Sequence, residues 1–195
     1  WLSEETVDDV ARLEARRTFI VDPIDGTRGF LDGSKQWCVA AAVVEAGRPL
    51  VGVLECPAKN ETFVAMRGGG AFKDGRRIEV GAPPSELRVG GPVSMINAMP
   101  TAIRDRVKRS PYVPSLAYRI AMVADGTLTA TFVKPNSRDW DLAAADLILH
   151  EAGGAMLDEA GNTPTYGGRE TAHGSLVAGS GELLAAMSRT IRATI

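Results

Sequence analysis

From Thr18 to Val80 the apolar positions fall in short runs broken by turn residues, a pattern that predicts closely spaced antiparallel strands. Thr18–Val21 reads as a short strand, and Trp37–Val44 and Leu50–Leu54 as two more, with Ala46-Gly47-Arg48-Pro49 as the turn between them. Glu61–Met66 continues the meander until Gly68-Gly69-Gly70 interrupts it. Ala71-Phe72 and Arg77–Val80 then flank Asp74-Gly75, a strong hairpin signal. Upstream, Ser3–Arg16 is polar and reads as a loop with a short helix.

Beyond Ala82-Pro83-Pro84-Ser85, the best boundary candidate, helical patterns return. Thr101–Lys108 and Ser115–Ala124 read as helices and Leu128–Val133 as a strand. Asp139 is a candidate N-cap for a helix through Ala152 that Gly153-Gly154 ends. Ala155–Leu157 and Ser175–Ala178 read as strands, and Gly181–Ile191 as a closing amphipathic helix. This order predicts a layered α/β protein in two halves. Residues 1–82 form an antiparallel-sheet half, and 83–195 a mixed α/β half.

Charge alters this picture little. Lys and Arg number 22 against 24 Asp and Glu, well mixed, so a nucleic acid polymer is not an expected partner. The richest basic stretch, Arg104–Arg109, reads as a solvated helix face. No apolar run approaches the ~20 residues that span a bilayer, so no membrane partner is expected. Cys38 and Cys56 lie outside any CxxC or Cys/His cluster and read as small core residues, which fits a cytoplasmic location. His150 and His173 read as surface or structural residues. The chain opens on Trp1 rather than Met, and the natural protein is expected to be longer.

The candidate chemistry lies in Asp22-Pro23-Ile24-Asp25-Gly26-Thr27. Two carboxylates follow the apolar Phe19-Ile20-Val21, where burial is costly unless they are paired or metal-bound. Pro23 stiffens the turn and Gly26 permits close backbone approach. A helix starting near Gly26 would point free N–H groups at an anion. The two Asp side chains and the Ile24 carbonyl are the hard oxygen ligands that Mg²⁺ prefers. An Asp-Pro turn with an Asp N-cap explains the same residues without a metal. Asp141, after Trp140, falls in the first turn of a helix, where the dipole favours a carboxylate in any case. Glu4 and Glu5 taken alone read as solvated.

Taken together, these segments resemble the inositol monophosphatase superfamily of Mg²⁺-dependent, often lithium-sensitive phosphatases. Ser3-Glu4-Glu5 is similar to the family's G/S-E-E segment, and Asp22–Thr27 to its D-P-I/L-D-G-T signature. Trp140-Asp141-Leu142-Ala143-Ala144 with Glu151-Ala152-Gly153-Gly154 is similar to its W-D-x-A-A…E-A-G-G block. The resemblance implies an α-β-α-β-α sandwich of the sugar-phosphatase type, with a largely antiparallel first sheet and a mixed second one. It implies two or three Mg²⁺ ions. One would be held by Glu4, Asp22 and the Ile24 carbonyl, and another by Asp22, Asp25 and Asp141. Gly26 and Thr27 N–H groups would hold phosphate, and the Thr27 hydroxyl, with Glu4, would position the attacking water.

Further matches lean toward the 3′(2′),5′-bisphosphate nucleotidase branch, which takes the 3′-phosphate from adenosine 3′,5′-bisphosphate. They are Thr27-Arg28-Gly29-Phe30, Ser115-Leu116-Ala117-Tyr118 with Met122–Gly126, and Pro164 with Tyr166. Ala117 stands where that branch has Lys. Lys134 lies near the acidic residue by which inositol monophosphatases meet sugar hydroxyls, and suits an extra phosphate instead. On this reading Asp25, Gly26, Thr27, Ser115, Lys134 and Asp141 face a small phosphate ester. The alternatives are an inositol-1-phosphate or histidinol-phosphate phosphatase, and a non-catalytic binding protein on the same scaffold. A homodimer is common in the family. The family's N-terminal helical region, which includes an acidic partner for the Thr27 hydroxyl, is missing from this sequence.

Overall fold

The computed structural model describes residues 1–82 and 84–193; Pro83, within the boundary segment, and residues 194–195 lie outside the described residues. The first sheet has the order β1 (Leu2–Ser3), β2 (Arg17–Asp25), β3 (Cys38–Glu45), β4 (Arg48–Cys56), β5 (Glu61–Met66), β6 (Gly70–Lys73) and β7 (Arg76–Ile78), with α1 (Thr27–Leu31) between β2 and β3. Every pair is antiparallel except β1 with β2. The Ala46-Gly47 turn is tighter than expected. Both residues have positive φ, so Arg48 and Pro49 already belong to β4. Val80 lies beyond β7, and its N–H bonds the Ala152 carbonyl instead of continuing the ladder.

The second half supplies β8 (Leu87–Gly90), α2 (Val93–Asn97), α3 (Thr101–Arg104), β9 (Val107–Arg109), α4 (Leu116–Ala124), β10 (Ala130–Val133), α5 (Asp139–Glu151), β11 (Ala155–Leu157), β12 (Leu176–Gly179) and α6 (Gly181–Arg192). Its sheet runs β11-β12-β10-β8-β9 and is mixed, with β8 parallel to both neighbours. The expected helix over Thr101–Lys108 is corrected. It stops at Arg104, and Val107–Arg109 pairs with β8 as an edge strand. Arg106 secures that edge through its guanidinium on the Pro84 and Ser85 carbonyls. Strand pairing thus overrides a local helical pattern. β8 was not legible because four residues ahead of Gly91-Pro92 resemble a linker until β10 and β9 flank them.

Helices α4 and α5 lie between the sheets. One continuous core joins Leu54 and Phe63 of the first sheet, Ile120 and Ile148 of the helices, and Met156 and Leu176 of the second sheet. A smaller cluster of Phe132, Val177, Leu184 and Met187 seats α6 on the far side. The outer face of the first sheet is open, with Phe19, Val51, Val64 and Met66 exposed.

Gly52 of β4 lets the backbone of α5 approach the sheet closely. A Cβ on Gly52 would meet the Ala144 carbonyl oxygen at 2.7 Å, so only glycine at this position permits the approach. At the other end of α5, Glu151 accepts from the Gly68 and Gly70 N–H groups, both at 2.8 Å, and fixes the triple-glycine turn. The helix is therefore clamped at its middle and its end, which fixes where its first turn points.

Candidate active site

Strand β2 carries Asp22 and Asp25 out of the sheet through an irregularity. The β2–β3 register shifts between these two residues, and Pro23 sits in the shift, where a missing N–H costs no ladder bond. Ile24 N–H donates to Asp22 Oδ1 at 2.9 Å, which orients that carboxylate. Gly26 follows with φ of 91° and caps α1. A Cβ there would lie 2.9 Å from the Ser115 nitrogen, so conformation and space both demand glycine. Its closeness to Ser115 brings β2 against the start of α4.

At that start Asp25 is held on several sides. Its Oδ2 accepts from the Ser115 hydroxyl and from Ala117 N–H at 2.7 Å, and its Oδ1 from Leu116 N–H at 3.3 Å. These are donors that a helix leaves unpaired in its first turn, and a carboxylate is favoured there. Ser115 is fully buried and also accepts from Tyr118 N–H at 3.0 Å, capping α4. It lies behind Asp25, whereas it was expected to face substrate. Cys38, also fully buried, lies 3.4 Å from the Ser115 oxygen, and its thiol is pushed well up by Cys56, burial and Asp25. Both cysteines stay free.

The third carboxylate arrives with α5. Asp139 is not its N-cap, as expected, but its first residue, and Arg138 takes the cap position. Arg138 N–H donates to Asp141 Oδ2 at 2.7 Å, which fixes one oxygen. Asp22, Asp25 and Asp141 each place a carboxylate oxygen within 4.8 Å of the others. Glu4 stands exposed beside them, and its charge acts on both Asp22 and Asp141. The Thr27 hydroxyl donates to the Ile24 carbonyl at 2.9 Å, which joins two expected site atoms directly.

This crowding shifts the titration of the cluster. Burial first, then Asp25, Glu4 and Asp141, push Asp22 up to about 8. Burial, followed by Asp25 and Glu4, pushes Asp141 to about 7 against the Arg138 N–H bond. Asp25 is raised by burial, which its Ser115, Ala117 and Leu116 bonds oppose. Like charges held close in a poorly solvated place require either protons or a cation.

A cavity of about 640 Å³ is lined in part by Leu116, whose N–H meets Asp25, although Asp25 itself does not line it. Arg109, Arg119 and Lys134 line it, and among the described residues no carboxylate does. Arg119 donates to the Phe132 carbonyl at 3.2 Å, yet its buried Nε has no partner. Burial lowers its pKa while the charge of Asp25 raises it. Lys134 is exposed at the boundary with a second, smaller cavity of about 240 Å³.

A family model described as "Inositol monophosphatase family" matches residues 1–194. The chain belongs to the inositol monophosphatase family. It is 38% identical over 149 residues to the fructose-1,6-bisphosphatase/inositol-1-monophosphatase of Thermotoga maritima, a match covering 74% of this chain and 58% of that protein. To the histidinol-phosphatase of Mycobacterium tuberculosis it is 32% identical over 179 residues, covering 83% and 66%. The solved Thermotoga maritima IMPase superposes with a TM-score of 0.80 at 28% identity, over 98% of this chain and 73% of that one. The chain thus spans about three fifths to two thirds of the length of these two curated relatives.

Within this inositol monophosphatase framework, several residues about the site carried no signal in the sequence. Arg119 sits on the face of α4 next to the cavity, two residues beyond the Ala117 that suggested a lost cation. Arg109 ends a basic run whose pattern reads as a solvated helix face, yet it closes β9 and lines the cavity. A periodicity of three or four from Ser115 would have put Arg119 on the same face, but nothing in one sequence says that the face lines a cavity.

Proposed function

We propose that the protein is a Mg²⁺-dependent phosphomonoesterase acting on a small phosphate ester that carries a second negative group, with adenosine 3′,5′-bisphosphate as the leading substrate. The observation that carries this reading is the carboxylate triad together with a cavity that Arg109, Arg119 and Lys134 line, joined to Asp25 through Leu116 and, among the described residues, without an acidic lining residue. The donor set fits a hard divalent cation: several carboxylate oxygens, mutually repelling, close enough to share ions. Asp22, Asp25 and Asp141, with Glu4 and the Ile24 carbonyl, would hold the metal. When bound it supplies positive charge for the phosphate oxygens and lowers the pKa of a bound water.

The chain's own groups do the rest. The Asp22 and Asp141 carboxylates are each fixed through one oxygen by a backbone N–H, which leaves the other to bind. Gly26 and Thr27 open α1, and their N–H groups hold phosphate oxygens. The Thr27 hydroxyl donates its hydrogen bond to the Ile24 carbonyl, so its oxygen lone pairs can accept from the attacking water and orient it. Ser115 orients Asp25 instead of touching substrate. Arg119, Arg109 and Lys134 receive the second anion. A neutral polyol would leave these cations without a partner, which disfavours inositol 1-phosphate.

Phosphate release from adenosine 3′,5′-bisphosphate, inositol 1-phosphate and histidinol phosphate, with Mg²⁺, with Li⁺ added and with chelator, tests the reading. Mg²⁺-dependent turnover fastest on the bisphosphate is expected. Turnover of inositol phosphate alone would refute the substrate assignment. Unchanged turnover in Asp22→Asn would refute the metal assignment.

A further inference from the structure

Four polar residues outside the carboxylate cluster form two clamps on one loop. The loop is 166–173, between the β11 end and β12. On one side Asp139, fully buried in the first turn of α5, accepts Gly167 N–H at 2.7 Å through Oδ2. Through Oδ1 it pairs with His173 Nε2, also at 2.7 Å. The backbone is zipped there as well: Asp139 N–H to Thr171 O, His173 N–H to Ser137 O, and Asn136 N–H to His173 O. On the other side the guanidinium of Arg12, itself buried, donates to the Gly167 and Gly168 carbonyls at 2.8 and 2.9 Å. Its remaining donors grip Asp8 at 2.6 and 2.9 Å.

The loop therefore joins two separate parts of the chain. Arg12 and Asp8 belong to the segment that carries Glu4, and β1 within that segment is anchored on β2 by only two paired residues. Asp139 lies on the turn of α5 that presents Asp141. Gly167 is gripped from both directions, its carbonyl by Arg12 and its N–H by Asp139. A buried guanidinium and a fully buried carboxylate are tolerated only when paired and hydrogen-bonded, and here most of those bonds go to this one loop.

We propose that loop 166–173 is a splint, with Arg12, Asp139 and His173 as positioning residues that hold the Glu4 segment and Asp141 at the separation one metal cluster needs. The inference rests on the metal assignment above, and none of the three touches the reacting atoms. Removing one support loosens the ligands without removing any of them. The site then keeps its metal preference but binds more weakly, as expected when groups behind metal ligands are lost.

Calorimetric titration of the protein with Mg²⁺ alone, without substrate, tests this, with thermal midpoints recorded in parallel. His173→Ala and Asp139→Asn are expected to weaken Mg²⁺ binding by up to about 10-fold, the low end for groups supporting metal ligands because neither bonds a ligand directly, and His173→Gln, which retains an N–H donor, to recover most of that loss. Arg12→Lys, the milder change on the other clamp, keeps the charge but loses the fork and is also expected to weaken binding. Lower midpoints with wild-type Mg²⁺ affinity in these variants would overturn the splint, and Arg12→Lys decides the matter if His173→Ala does not fold. Failure of the metal assignment looks different. There, wild type and Asp141→Asn would titrate alike.

Discussion

Asp22 and Asp141 have raised pKa values in a protein without metal, and this has a signed consequence. With native values of about 8 and 7 against an ordinary carboxylate near 3.8, the folded state binds more protons than the unfolded state between these limits. Their contribution to stability is whole below about pH 4 and is lost as pH rises through 7 to 8. The thermal midpoint in chelator should therefore fall from pH 5 to pH 8.5, and Mg²⁺ should restore it most at the alkaline end. A midpoint that rises with pH in chelator would contradict the crowding of these carboxylates. Arg119 yields a second expectation at this scale. Arg119→Met should raise KM for a bis-anionic substrate by about tenfold or more, equivalent to one lost charged hydrogen bond of roughly 1.5–3 kcal/mol, with less effect on a mono-anionic one. Equal effects on both would remove Arg119 from recognition. Asp22, Asp25 and Asp141 were legible because a carboxylate beside an apolar strand or in a helix's first turn invites a chemical explanation. Arg119 and Asp139 were not, because an arginine on one helix and an aspartate that resembles a cap declare their role only through Leu116, Gly167 and His173 in space.

Among the elements, the position of α5 on β4 matters most. Gly52 faces the Ala144 carbonyl too closely for any side chain. Gly52→Val should cost about 1–3 kcal/mol by overpacking, read as a lower midpoint in denaturant. It should also move Asp141, so weaker Mg²⁺ binding should accompany the loss. Wild-type stability in that variant would show that the helix does not rest where the site requires. The strands of the first sheet could be read from the sequence because apolar runs and Asp74-Gly75 or Ala46-Gly47 turns are local signals. The elements missed or misread, β1, β8, α2, β9 and the truncated α3, are short, and the strands among them depend on a partner elsewhere in the chain. Four-residue segments lack a periodicity strong enough to show on its own.

For the whole molecule, the site exists because two sheets share a core. β2 brings Asp22 and Asp25 from one sheet, α4 meets Asp25 from between them, and α5 brings Asp141 across the same core. Among the described residues no helix is long and apolar enough to cross a membrane. A ligand that bridges such distant segments stabilises all of them together. Mg²⁺ at 100 times its dissociation constant should add about 2.7 kcal/mol to the unfolding free energy. The most direct measurement is inorganic phosphate released from adenosine 3′,5′-bisphosphate by wild type and Asp141→Asn, each in Mg²⁺ and in chelator. The account predicts release by wild type in Mg²⁺ and near-complete loss in the other three arms. Release that survives chelation, or that Asp141→Asn retains in full, would contradict it.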